Sequence, residues 1–133
     1  MQYWPPHQAA NMHYRIELAQ GYLRADLADR KTAADTQQFI RALGAKALDA
    51  GCTRVLICVR NSRPIYKLQT YGIIEYFRQL AANPANRVAL VSDNDEMRSS
   101  QEYIAMLGRE QGANVRAFRD EAGALEWLRA EST

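Results

Sequence analysis

Two short runs constrain this chain more than anything else in it: RVLICV over Arg54–Val59 and RVALVS over Arg87–Ser92. Neither alternates. A strand with one face in water carries apolar residues at every second position. A strand covered on both faces reads as a continuous apolar run, the mark of a parallel sheet between helices. Each run here ends in a polar turn and leads into a helix-like pattern. The pair predicts an α/β protein with these segments side by side at its centre and their downstream turns on a common rim.

The remaining segments fit around that centre. HYRIELAQGYLRADLAD alternates on both sides of Gln20-Gly21, with Tyr14, Ile16 and Leu18 on one face of the first arm. Leu23, Ala25 and Leu27 share a face of the second, so the stretch reads as a β-hairpin. Thr32 and Asp35 have capping-box spacing at the start of a helix whose stripe is Phe39, Ile40, Leu43 and Ala47, with Gly51 as its stop. The next helix is expected from about Ile65 to Leu80, with Pro64 near its first turn and Ile73, Phe77 and Leu80 inward. Ser99 and Glu102 have the spacing of a capping box for a helix running through about Gln111, with Ile104 and Leu107 inward. Asn114–Phe118 is the last strand, and Asp120 caps a last helix that buries Leu125 and Leu128.

The order is β-β-α-β-α-β-α-β-α. It predicts a mixed, mostly parallel five-stranded sheet with right-handed crossovers, helices packed on it and an antiparallel hairpin at one edge. Residues 13–130 form one domain. Residues 1–12, with Pro5 and Pro6 and no periodicity, read as a flexible N-terminal arm. An edge strand must be paired or protected, which makes a homodimer plausible.

Composition narrows the function classes. An apolar fraction of 47% builds a core without disulfide or metal staples. A net charge of +2, spread along the chain, lacks the clustered basic face of a nucleic-acid binder. No apolar run reaches the roughly 20 residues of a membrane span, and MQYWPPHQAANM lacks the basic start and apolar centre of a secretory signal. Cys52 and Cys58 flank an extended segment of roughly 20 Å, at about 3.3 Å per residue, against the roughly 7 Å a disulfide spans. Two free thiols suit a reducing compartment, so the expected location is cytoplasmic.

Open α/β sheets bind ligands beyond the carboxyl ends of their parallel strands. Arg60, Asn61, Ser62 and Arg63 follow the first buried strand there, with Lys67 one turn on. Cations beside a helix start attract anions, although without a glycine the turn cannot wrap a phosphate as a P-loop does. The alternative reading is a solvated basic turn. Ser92 and Asp93 follow the second strand. Asp93, Asp95 and Glu96 form an acidic loop, but no acidic residue ends the first strand to complete a Mg²⁺ site, so no metal or cofactor is expected. His7 lies in the arm and His13 opens the edge strand, so neither is expected at the carboxyl side where Ser62 or Ser92 would need a base. Cys58, inside an apolar strand, reads as packing. Tyr66, Tyr71, Tyr76, Tyr103 and Met106 have the composition of an apolar pocket lining and equally of amphipathic packing.

RVALVSD followed by NVRAFRDEAGALEWL, together with YGIIEYFRQL, resembles the SpoIIAA-like branch of the STAS domains, often described as STAS/SEC14 domain-containing proteins. The resemblance spans about residues 13–129 and implies the STAS fold of the bacterial anti-sigma-factor antagonists. Those proteins carry a phosphorylatable serine at the start of the helix after the third strand. In this chain that place falls on Lys67–Thr70, where Thr70 is the hydroxyl and no Ser-Gly pair stands. The resulting expectation is a non-enzymatic regulatory or binding module that meets a protein partner or an anionic group through the rim loops. The SEC14 side implies, as an alternative, a carrier of a small apolar or lipid-like ligand. A metal-dependent hydrolase is a third, weaker reading.

Overall fold

The computed structural model describes residues 12–65 and 71–130. Five strands form one sheet in the order β1-β2-β3-β4-β5: β1 His13–Leu18, β2 Leu23–Ala28, β3 Arg54–Arg60, β4 Arg87–Ser92 and β5 Val115–Phe118. β1 pairs antiparallel with β2, and every later pairing is parallel. The two continuous apolar runs are neighbours, with Val55 opposite Val88 and Cys58 opposite Val91. The predicted fold class and element order are observed, including the hairpin edge.

Alternation along the strands sorts the side chains onto two faces. Leu23, Ala25, Leu27, Val55, Ile57, Val59, Val88, Leu90 and Val115 face the larger core cluster. This cluster is closed by Phe39 and Leu43 of α1 (Ala33–Ala50), Ile73 and Phe77 of α2 (Tyr71–Leu80), and Ile104 of α3 (Asp95–Glu110). Tyr22, Leu56, Cys58, Ala89 and Val91 point the other way, onto Ala124 and Leu128 of α4 (Glu121–Arg129). Three helices thus cover one face and one helix covers the other, which explains why β3 and β4 carry no polar alternation. Met12, expected at the end of the flexible arm, is instead fully buried just ahead of β1 and joins the larger core; the rest of that arm, 1–11, lies outside the described residues.

The helix ends show where local chemistry decided and where tertiary contacts did. Thr32 Oγ1 accepts from Asp35 N–H at 3.1 Å, and Asp35 Oδ2 accepts from Thr32 N–H at 3.3 Å, so the expected capping box forms with Asp in place of Glu. Gly51 ends α1 at φ +62°, a conformation glycine adopts without Cβ strain. The expected box at Ser99 and Glu102 does not start α3. Asn94 caps that helix, its Oδ1 accepting from Met97 N–H at 2.8 Å, so Ser99 lies inside it. Asp95 and Glu96 then sit in the first turn, where the helix dipole favours them, and Met97 anchors the turn in the core. Ile65 itself is not helical: its N–H donates to Ser100 Oγ of α3 at 3.0 Å, and α2 is described from Tyr71.

α4 is clamped to the sheet at both ends. Arg24 of β2 holds Glu121 at its start. At its end Arg54 donates to the Leu128 carbonyl, and Arg87 donates to the Trp127 and Ala130 carbonyls, each at 2.7 Å. Two guanidinium groups thus cap the negative end of the helix. Arg87 also lies 5.7 Å from the Trp127 ring centre.

Candidate functional site

The loops at the carboxyl ends of β2, β3 and β4 are laced to one another by hydrogen bonds. Asp29, after β2, and Asn61, after β3, both adopt left-handed backbone, at φ +62° and +46°. Asp and Asn are the non-glycine residues that tolerate this best. The turns they make point the two side chains together: Asn61 Nδ2 donates to Asp29 Oδ1 at 2.5 Å. Asp29 N–H donates to the Arg60 carbonyl, and Asn61 N–H donates to Asp93 Oδ2 beyond β4, each at 3.3 Å. Ser62 Oγ accepts from Arg30 N–H at 3.1 Å and donates to the Arg60 carbonyl at 2.9 Å. Arg63 N–H donates to the Arg30 carbonyl, while the Arg30 guanidinium returns to the Arg63 carbonyl. The hydroxyl of Ser62 is therefore part of the framework, and a phosphoryl group there would remove the bond it donates to the Arg60 carbonyl.

His13 stands on this same rim, which corrects the expectation that it lies away from it. β1 runs antiparallel to β2, so its first residue pairs with Ala28 at the end of β2, and Ala28 pairs with Arg60. His13 Nδ1 lies 3.1 Å from Asp29 Oδ2. The signal was present in the sequence: a hairpin brings its first and last residues together, and β2 parallel to β3 puts both at the carboxyl side. His7 lies outside the described residues.

Beside these loops, on the α4 face of the sheet, opens a polar cleft of about 390 Å³. Arg15, Arg24 and Arg60 line it with Asp26, Asp93 and Glu121, and Cys58, Val59, Val91 and Ser92 complete its walls. α4 covers β3, β4 and β5, so the polar strand faces of β1 and β2 beside its start remain as the cleft wall. Arg24 forks between two carboxylates, with Nη1 2.7 Å from Glu121 Oε1 and Nε 3.1 Å from Asp26 Oδ2. The hydrogen bond to Glu121 raises the Arg24 pKa, and the same bond holds the Glu121 carboxyl below the usual carboxylate range. Arg15 pairs with Glu17 at 3.3 Å. Arg60 is exposed and forms no side-chain hydrogen bond or ion pair among the described residues. Burial pushes the Cys58 thiol up to about 12, so it is a neutral wall of the cleft at ordinary pH.

The structure thus brings Arg60, Asn61, Ser62, Ser92 and Asp93 together on one rim. Arg63 is exposed beside them and holds the loops through its backbone. Ser92 Oγ donates to the Asn94 carbonyl at 3.2 Å and supports the start of α3. Asp95 pairs with Arg98 at 2.9 Å, and among the described residues no group of three His, Cys, Asp or Glu side chains is placed to hold a metal ion. Lys67, Thr70 and Tyr66 lie outside the described residues, and Tyr71 opens α2.

Of the aromatic candidates, Tyr76 is buried and lines both hollows on the three-helix face; burial raises its pKa. One is an open groove of about 850 Å³ between α1 and α2, where Leu48 is 86% exposed. The other is a smaller void of about 70 Å³ against the larger core, partly open to solvent. Tyr103 packs partly buried against that core, whereas Met106 is 42% exposed and lines neither hollow. Sequence reasoning missed Arg24, Asp26 and Glu121, which meet only because α4 docks over β3, β4 and β5.

These strands, their order and their helices constitute a SpoIIAA-like fold. Superposition on solved structures gives a match to an uncharacterised protein of the DUF3478 family with a SpoIIAA-like fold, from Shewanella loihica PV-4. The TM-score is 0.56 at 18% identity, over 88% of this chain and 93% of that one. No family model and no curated protein matches the sequence. No helix among the described residues is long and apolar enough to cross a membrane.

Proposed function

We propose that this chain is a non-enzymatic regulatory or binding module of the STAS type that engages an anionic group of a protein partner at the carboxyl-end rim. One observation carries the reading. Three arginines line the cleft, and two of them are held by carboxylates of the chain itself, whereas Arg60 is held by none among the described residues. A guanidinium offers a planar fork of donors suited to a carboxylate or phosphate. Asn61 and Ser62 beside it are fixed by the interloop bonds, so the site is formed before the partner arrives and little ordering cost attends binding. Asp93, bonded to the Asn61 N–H, and Glu121, held by Arg24, also line the cleft; they disfavour a diffuse anionic surface and favour a single charged group at the Arg60 edge.

Titration with phenyl phosphate, followed by amide and guanidinium NMR signals, tests this. Shifts confined to Arg60–Arg63 and Ser92–Asp93 and abolished by Arg60→Gln support the proposal; shifts that survive Arg60→Gln, or none at tens of millimolar probe, contradict it. The lipid-like carrier remains a second reading because the α1–α2 groove is large and exposes Leu48. Native mass spectrometry retaining an apolar molecule on the purified protein supports that alternative.

A further inference from the structure

A void of about 70 Å³, partly open to solvent, lies between the sheet and α1, α2 and α3. Its walls are mostly apolar, from residues such as Ile57, Val59, Ile73 and Leu90. Gln101 of α3 also lines it, and Gln101 is only 5% exposed. Its Nε2 donates to the Val91 carbonyl at 3.0 Å, which fixes the orientation of the amide. The Oε1 atom has no hydrogen-bond partner, and it is the one buried side-chain polar atom among the described residues in that state. An unpaired buried acceptor costs stability comparable to a lost hydrogen bond, so its retention beside a void points to an occupant that donates to it.

We propose that this void is a binding site for a small neutral aliphatic molecule bearing a hydroxyl, whose O–H donates to Gln101 Oε1 while its carbon body packs on the apolar walls. The size sets the class. A cavity of about 150 Å³ takes a benzene ring, so a void half as large takes an aliphatic body of about three or four non-hydrogen atoms. Neutrality follows from the walls and from the acceptor: a carboxylate would bring its own lone pairs toward Oε1 and lose its hydration among apolar side chains. Arg30 also lines the void, 4% exposed, with its guanidinium held by the Arg63 carbonyl. Burial lowers its pKa to about 10, with the Asp35 charge opposing, so it stays charged at neutral pH with Asp35 as the counter-charge near it. The void is distinct from the cleft holding Arg60, which lies on the opposite face of the sheet.

The test uses the full chain with 2-propanol as the hydroxylic probe and propionate as the anionic one, read by ¹H–¹⁵N NMR on the Gln101 side-chain amide and on methyl signals of Ile57, Ile73 and Leu90. Saturable binding of 2-propanol in the millimolar range, with those signals shifted together and propionate at least tenfold weaker, is the expected result. Gln101→Leu removes the acceptor and abolishes saturation. Because that variant also loses the bond to Val91, Val59→Ile serves as a second probe: it adds one methyl group on the lining and is expected to fold, melt at or above the parent temperature and bind no 2-propanol. Linear, unsaturable shifts, equal binding of propionate, or unchanged 2-propanol binding by folded Val59→Ile would each overturn the proposal, the first leaving ordered water as the occupant.

Discussion

Gly44 and Gly108 sit inside helices α1 and α3, and the same substitution is expected to have opposite signs at the two. A Cβ on Gly108 would fall 2.3 Å from Val115 Cγ1 and 3.0 Å from Phe77 Cδ2. Both neighbours are fixed: Val115 is fully buried on β5 and Phe77 is 2% exposed in the larger core. A β-branched valine has few rotamers through which to withdraw, so α3 must move off β5. Overpacking of this kind costs about 3 kcal/mol, and alanine recovers about 1 kcal/mol of helix propensity over glycine, leaving Gly108→Ala destabilised by about 2 kcal/mol. At Gly44 an added Cβ meets nothing within 4 Å. Only the propensity gain remains there, so Gly44→Ala stabilises by about 0.5–1 kcal/mol. Urea unfolding followed by far-UV circular dichroism resolves both. Gly108→Ala as stable as the parent would refute the close approach of α3 to β5 and, with it, the sheet-helix spacing on which the core void depends.

Glu121 has its pKa depressed by the Arg24 hydrogen bond, so its contribution is present above the unfolded value near 4.5 and is lost as pH falls through the folded value. With Glu121 about half exposed the effect is about 1 kcal/mol after solvent screening; Glu121→Gln should lower stability at pH 7 and flatten its slope below pH 4.5, and an unchanged slope in urea titrations contradicts the pairing. Cys58, with its pKa pushed up to about 12, should alkylate with iodoacetamide about a thousandfold more slowly than an unburied thiol at pH 8. Mass spectrometry of native protein should therefore find Cys52 labelled first, and equal labelling contradicts the burial of Cys58 behind Arg24 and Asp26.

Much of the fold was legible because it rests on local pattern. The unbroken Val55–Val59 and Val88–Val91 runs can be satisfied only by cover on both faces, and that cover is observed. The α1 cap was legible because both of its partners lie within four residues. The misses have tertiary causes. The α3 start moved to Asn94 because burying Met97 outweighs a good cap at Ser99. The place of Ile65 is tied to Ser100, 35 residues on, which accepts from its N–H, a contact no local pattern shows. His13 reached the rim only through strand pairing. That Arg60 forms no ion pair among the described residues was likewise invisible, since it depends on Arg24 taking the hydrogen bonds of Glu121, 97 residues away.

Crystals of the protein soaked in sodium selenate and measured at the selenium edge locate the anion directly. The account predicts an anomalous peak in the cleft within hydrogen-bond reach of the Arg60 guanidinium, absent from isomorphous crystals of Arg60→Gln. A peak at another arginine with the cleft empty, or the same cleft peak in Arg60→Gln crystals, would contradict it.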